Sequence, residues 1–403
     1  MPRAPRNAAR ALAAALVLVL TPGLARASYR AKAEEQTDFI QARYYDSDAH
    51  LYRPWLPALP GDLAYDYMWG NGVQFTVLVS GTRYNPAKYG QTLKDVCASL
   101  RRYWDGAGPV PGFKDTYLPT KDAARYYDDN AWVVLGFVEA YEVTKDASYL
   151  DRARETQRFC LSGWDGKLGG GIYWREDKQT KNTCSNAPTA AAAARLYLVG
   201  HDADQLPWAK RIVDWTDKTL QDSDGLFCDN IRLDGHISKY KWTYNSALMI
   251  RSNVLLYQAT KDRKRLAAAR RIADAGLKRW VDPDTGGFTN NARFNHLFSE
   301  SLLRLYDVTK DLRYLNAVRR DASFGYRYVR DPEGGYHDAW RKDHKPGERK
   351  ELIENAAVAR LFWLLTPYPD VDELQAQAEK AEKRKDWKRA ESLRRQAAES
   401  DAP

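Results

Sequence analysis

The sequence predicts an all-α fold, an (α/α)6 barrel of six helical hairpins joined by short β-hairpins or tight turns. Three observations carry that prediction. A helix–turn–helix unit recurs: "EAYEVTKDASYLDRARE" (139–155) resembles "LYQATKDRKRLAAARR" (256–271) and "RLYDVTKDLRYLNAVRR" (304–320), with weaker copies at 195–211 and 78–95. Glycine-rich segments that each carry an aromatic separate the units, as in "WDGKLGGGIYW" (164–174) and "DPDTGGF" (282–288). The first helix of several units is apolar nearly all round ("NAWVVLGFVEAY", "NSALMIRSNVLLY"), whereas the second helices are rich in Lys and Arg on one face. A helix apolar on every side must be enclosed, and a one-sided helix faces water. Six hairpins therefore close into two concentric rings rather than stacking as an open solenoid.

In chain order, residues 1–27 read as a secretory leader. Arg3, Arg6 and Arg10 form a basic start, "ALAAALVLVL" (11–20) is an apolar run, and "ARA" (25–27) offers a cleavage site before Ser28. The run is too short to span a bilayer and no later segment is long enough. A secreted or periplasmic protein without a membrane span is expected.

Residues 28–369 are assigned to the barrel. Helices are expected to start near Lys32, Asp62, Ala87, Tyr127, Ala147, Asn186, Gln205, Thr243, Arg263, Phe294, Leu312 and Leu352. Within the second helices apolar residues recur at helical spacing, as at Tyr149, Ala153, Thr156 and Cys160. The separators fall at 104–113, 164–174, 222–229, 282–288 and 331–338, where glycine supplies the positive φ that tight turns need. All these connectors emerge on one rim of such a ring, so the residues that open the inner helices meet at one cavity. After Pro369 the chain becomes densely charged with few large apolar residues, and 370–403 is expected as a charged C-terminal helix or tail.

Composition narrows the function. With 44% hydrophobic and 29% charged residues the chain is globular. Removing the leader's four arginines lowers the net charge from +9 to +5, and no basic cluster interleaves with aromatics, so nucleic acid is not a partner. Cys97, Cys160, Cys184 and Cys228 allow up to two disulfides in three connectivities; one bridge or none is the expectation, and no C-x-x-C pair exists. "DSDG" (222–225) and "DPDTGG" (282–287) lack the remaining ligands of a calcium loop and read as turns. The six histidines have no zinc-ligand spacing, the glycine triplet at 169–171 has no Lys-Ser/Thr after it, and no G-x-S-x-G elbow occurs. No metal and no organic cofactor is implied.

The chemistry is read from "RYYDDNAWVVLGFVEAY" (125–141). An N-cap explains one aspartate at a helix start and leaves the second beside it. Two carboxylates at close range push their titrations apart, so one keeps its proton to higher pH. An ionised carboxylate beside a proton-holding acid is what glycoside hydrolysis uses. Neighbouring Cα atoms stand about 3.8 Å apart, so a carboxyl separation near the ~5 Å of retaining enzymes is within reach, and the ~6.5–9.5 Å of inverting enzymes is hard to span. Tyr126, Tyr127, Trp132, Trp164, Tyr173, Trp174, Trp242, Tyr244 and Trp280 fall on the inferred rim. Flat rings beside carboxylates suit the apolar faces and hydroxyls of a pyranose.

"YYDDNAW" (126–132), "GGGIYW" (169–174), "KNTCSNAP" (181–188), "DGLFCDNI" (224–231) and "KWTYNSA" (241–247) occur in the order seen in glycoside hydrolase family 76, which the sequence resembles from about Asp38 to Leu365. These are endo-α-1,6-mannanases, with fungal relatives acting on cell-wall mannan and GPI-linked glycans. The resemblance implies a retaining endo-hydrolase of α-mannan, with Asp128 as nucleophile and Asp129 as acid/base. It implies a sugar cavity formed by Tyr127, Trp132, Trp174, Asn186, Asp229, Tyr244 and Asn245. The chain departs from the family at "YNSA" (244–247), where the family has "YNQG", and at "FSESL" (298–302), where Glu300 replaces a lysine–glycine pair. Both departures are expected near the cavity. Rival readings are a transglycosylase, a hydrolase or lyase acting on another α-glycan in the same barrel, and a non-catalytic periplasmic glycan-binding protein. A monomer is expected.

Overall fold

The recurring Thr-Lys-Asp turn explains how three of the hairpins are made. The computed structural model describes residues 27–117, 123–340 and 347–401; the leader expected at 1–27 lies outside them except for Ala27. Fourteen helices are present among the described residues. They are α1 (Tyr29–Arg43), α2 (Met68–Tyr84), α3 (Pro86–Leu100), α4 (Tyr127–Thr144), α5 (Ala147–Ser162), α6 (Thr183–Gly200), α7 (Gln205–Leu220), α8 (Thr243–Thr260), α9 (Arg263–Trp280), α10 (Ala292–Thr309), α11 (Leu312–Phe324), α12 (Leu352–Leu365), α13 (Val371–Lys383) and α14 (Trp387–Asp401).

Thr144, Thr260 and Thr309 each donate the side-chain hydroxyl to the carbonyl four residues back, at 2.7 Å, ending α4, α8 and α10. The same hydroxyls accept the N–H of Asp146, Asp262 and Asp311. Those aspartates then cap the next helix by accepting from Ser148, Lys264 and Arg313. Between Thr and Asp, the lysine turns left-handed, with φ of 61°, 59° and 57° at Lys145, Lys261 and Lys310. A side chain there is strained relative to glycine, and the paired caps offset that strain.

A second device fixes the connectors. The fourth residue of the inner helices α2, α4, α6, α10 and α12 is asparagine (Asn71, Asn130, Asn186, Asn295 and Asn355), and in α8 it is Ser246. The Asn130 amide accepts the Phe113 N–H at 2.8 Å and donates to the Phe113 carbonyl at 2.9 Å. Asn186 does the same with Ile172, at 2.8 and 2.9 Å, and Asn355 with Tyr336. Ser246 accepts from Phe227, and Asn71 from Tyr52. Each staple satisfies backbone groups that burial would otherwise orphan, so five of the six connectors are registered against the helix they precede. In the fifth unit Asp321 takes the Phe288 N–H instead.

The inner ring closes as α2–α4–α6–α8–α10–α12 and back to α2, each helix packed on the next. α3, α5, α7, α9 and α11 pack outside their partners, and α1 supplies the outer helix for α12. The fold is therefore an (α/α)6 barrel. Ala190 to Ala194 are fully buried in α6, and their small side chains let α4 and α8 approach closely. The connectors form two-stranded ladders, such as Trp104–Asp105 with Gly112–Phe113. The largest is a three-stranded sheet of Thr180–Asn182, Asn230–Arg232 and Ile237–Ser238. No helix among the described residues is long and apolar enough to cross a membrane.

Some boundaries differ from expectation. The second helix starts at Met68 rather than near Asp62, because Gly61 turns with φ 93° and Asp62 closes a turn on the Leu59 N–H while pairing with Arg349. α6 starts three residues before Asn186, which is an interior residue of its first turn. The charged segment after Pro369 is a helical hairpin, α13 and α14, that seats α14 against α11 and has its own small core of Leu374, Ala378, Leu393 and Ala397. All four cysteines are free thiols.

Candidate active site

The second residue of every inner helix faces one cavity. Trp69, Asp128, Cys184, Tyr244, Arg293 and Ile353 all line it, at the rim where the connectors emerge. A ring of six helices pointing the same way makes this inevitable, since corresponding positions in the first turn share an orientation toward the axis. The cavity measures about 660 Å³, within the ~300–1,000 Å³ usual for small-ligand sites.

Asp128 and Asp129 stand together on its wall. The indole N–H of Trp174 donates to Asp128 Oδ2 at 3.0 Å, and the Asp129 backbone N–H donates to Asp128 Oδ1 at 3.1 Å. Burial pushes the Asp128 carboxyl up to about 6, and donors, with the Cys184 thiol and Trp174 foremost, work against that rise. Asp129 is held well above the usual carboxylate range by burial, by the charge of Asp128 and by that of Asp115, on the connector that leads into α4. The two carboxyls therefore titrate apart: Asp129 keeps its proton to the higher pH, and the donors place the negative charge on Asp128.

Aromatic rings form the rest of the wall. Trp69 stacks on Phe294 at 5.8 Å and 22°, Phe294 meets Tyr244 at 4.4 Å, and Tyr244 stacks on Trp242. On the other flank Trp174 packs edge-on against Tyr126 at 5.0 Å. The charge balance is lopsided. Asp66, Asp115, Asp128, Asp129, Asp229 and Glu351 line the cavity, and Arg293 is the sole cationic lining residue among the described residues. Arg293 is itself paired with Asp338 at 2.8 Å and Glu351 at 2.9 Å. Asp66 is buried and pushed up to about 7 by that burial.

Of the residues singled out in the sequence, Tyr126, Asp128, Asp129, Trp132, Trp174, Asp229, Trp242 and Tyr244 line the cavity. Three stand behind it. Tyr127 is buried with its ring stacked on Phe159 at 4.9 Å, and its N–H holds the Trp174 carbonyl at 2.9 Å. Asn186 is the staple on Ile172. Asn245 is fully buried in the first turn of α8, behind Tyr244. Trp164 and Trp280 pack in the outer shell against Trp215 and Phe298. Sequence reasoning missed Trp69, Arg293, Phe294 and Glu351; the readable signal was their place at the opening of inner helices.

The two departures from the family pattern also lie outside the cavity. Ser246 is a connector staple, and Ala247 is buried in α8. Glu300 lies deeper, in an ion layer below the cavity floor. There Arg251 reaches it at 3.0 Å, Arg304 at 2.8 Å and Arg360 at 3.5 Å, while Arg360 also binds Glu139 at 2.6 Å. Burial opposes the charge of Glu300, but these guanidinium groups outweigh it and hold its carboxyl well below the ordinary range.

The family model described as glycosyl hydrolase family 76 matches residues 28–316. A mannan endo-1,6-alpha-mannosidase of Candida glabrata is 29% identical over 109 residues, which is 24% of this chain and 24% of that protein. The chain thus matches about a quarter of the length of this curated relative. Among solved structures, a GH76 alpha-mannanase of Bacteroides thetaiotaomicron is 28% identical with a TM-score of 0.80, covering 85% of this chain and 96% of that one. An inactive variant of an α-1,6-mannanase of Salegentibacter sp., with two consecutive aspartates changed to asparagine and α-1,6-mannotriose bound, superposes with a TM-score of 0.72 at 24% identity, covering 84% and 99%.

Proposed function

The chain belongs to glycoside hydrolase family 76, and we propose that it is a retaining endo-α-1,6-mannanase working through Asp128 and Asp129. The observation that carries this reading is the asymmetry of the pair. Trp174 donates to Asp128, whereas Asp129 faces the carboxylates of Asp128 and Asp115. Asp128 is thus the ionised nucleophile and Asp129 the acid.

In the first step an Asp128 oxygen bonds to the anomeric carbon as the glycosidic C–O bond breaks, and Asp129 gives its proton to the departing oxygen. In the second, Asp129, now a carboxylate, takes a proton from water. The water oxygen bonds to the anomeric carbon, Asp128 leaves, and the sugar is freed with its original configuration. Asp128 loses its negative charge on attack, which removes the chief electrostatic reason for Asp129 to hold a proton. Its affinity for that proton falls as it must release it.

The rings of Trp69, Trp132, Trp174, Trp242, Tyr244 and Phe294 supply apolar faces for pyranose units. Six lining carboxyls against one paired guanidinium disfavour uronates and phosphorylated sugars, so the cavity suits a neutral glycan such as mannan. A lyase acting on uronates would need unpaired cationic groups there. All these lining residues come from one chain, so a monomer suffices, and a polymeric substrate suits a secreted or periplasmic enzyme.

The test is digestion of linear α-1,6-mannan by the mature chain. Short oligosaccharides are expected from the unaltered protein and none from Asp129→Asn. Cleavage of a different α-glycan with α-1,6-mannan left intact would overturn the linkage.

A further inference from the structure

Exposed apolar surface is not spread evenly over this molecule. Of eight large apolar side chains standing exposed among the described residues, six are on connectors of the cavity rim: Leu59, Leu63 and Tyr67 before α2, Trp174 before α6, and Leu233 and Tyr240 before α8. Single exposed rings are ordinary, but a cluster around a cavity mouth marks recognition. α2 and α8 are the first and fourth members of the six-helix inner ring, so their connectors face each other across the mouth. α4 and the connector before α6, which carry Asp128, Asp129 and Trp174, lie between them on one flank.

Tyr240 is not part of the cavity lining, yet it continues the aromatic wall outward. Its ring lies 4.6 Å from Trp242, and Trp242 stacks at 25° on Tyr244, which in turn meets Phe294. The row runs from the cavity wall to solvent, where Tyr240 is 60% exposed. Its backbone follows the strand Ile237–Ser238, paired with Asn230–Ile231, which is paired in turn with Lys181–Asn182. The sheet ends two residues before Tyr240, and the ring itself is held by its contact with Trp242.

We infer that Tyr240, with Trp242 behind it, forms an outer sugar-binding subsite. It takes a neutral hexopyranose unit of the same glycan chain, distal to the bond being cleaved. The inference rests on the mannanase reading above and deepens it by making chain length a determinant of affinity. A glycan crossing the mouth beside Asp128 leaves toward the α8 connector and lays the face of a distal ring on Tyr240.

The test is calorimetric titration of α-1,6-mannotriose and α-1,6-mannohexaose into the Asp129→Asn protein, with and without Tyr240→Ala. Hexaose binding is expected to weaken about fivefold on losing the ring, the scale of one aromatic contact, while triose binding shifts less than twofold. Tyr240→Phe should restore hexaose binding. Equal weakening of both ligands, or unchanged hexaose affinity, would overturn the subsite while leaving the mannanase reading standing. Failure of both oligosaccharides to bind the protein that retains Tyr240 would overturn the subsite and the mannanase reading together.

Discussion

Two sets of buried acids occupy the same barrel and behave in opposite ways. Helix α4 carries one of each kind: Asp128 and Asp129 in its first turn, and Glu139 some three turns, or about 15 Å, further along the axis. Burial raises the pKa of all of them. In the lower layer Arg360, Arg251 and Arg304 more than reverse that effect for Glu139 and Glu300. At the rim Asp129 meets the charges of Asp128 and Asp115, which raise it further. Acids paired with arginine serve the fold, and acids left to each other hold a proton that chemistry can use.

The largest effects are expected at the rim pair. Asp128→Asn and Asp129→Asn should each lower kcat/KM on mannan by about 1,000-fold or more, with folding intact by circular dichroism. A variant within tenfold of the unaltered enzyme would break the assignment of the pair. The same change one layer down should do the reverse. Glu300→Gln leaves buried guanidinium groups uncompensated and should cost about 3–5 kcal/mol of stability in urea unfolding; unchanged stability would show that the ion layer is not structural.

A smaller effect is expected at Trp174→Phe, which deletes the indole donor to Asp128. A loss of about tenfold in kcat/KM is predicted. The acidic limb of the rate profile should also move to higher pH, because a carboxylate deprived of a donor is harder to ionise. For the unaltered enzyme that limb should lie near the Asp128 value of about 6, with the alkaline limb set by Asp129.

The smallest effect concerns stability against pH. Asp128 and Asp129 have raised values, so their contribution is fully present below the ordinary 3.8 and is lost as pH rises through the folded values. Glu139 and Glu300 are depressed, so theirs is present above the ordinary 4.5 and lost as pH falls through the folded values. Asp128→Asn combined with Asp129→Asn should therefore melt roughly a few degrees above the unaltered protein at pH 7, with the gap closing toward pH 4.

How far the sequence could be read follows from which contacts are local. The starts of α4, α5, α7, α8, α9, α11 and α12 were legible to the residue, because most lie beside capping aspartates or motifs that act within a few positions. The aspartate pair was legible for the same reason. Asn186 was read as facing sugar, but its partner Ile172 sits on a connector whose path depends on the whole hairpin. Glu300 was read near the cavity because its arginine partners come from α8, α10 and α12, and helix order alone does not give depth along the axis. The start of α2 was misplaced by six residues where Gly61 and the Asp62–Arg349 pair, between distant segments, hold the chain in a turn.

The configuration of the first product tests the roles of Asp128 and Asp129 most directly. Linear α-1,6-mannan should be digested in an NMR tube and the anomeric protons followed before mutarotation. The adjacent pair, with Asp128 forming the covalent bond and Asp129 serving as acid and then base, predicts oligosaccharides that appear first as the α-anomer. Products appearing first as the β-anomer would mean inversion, and would contradict the assigned roles of Asp128 and Asp129.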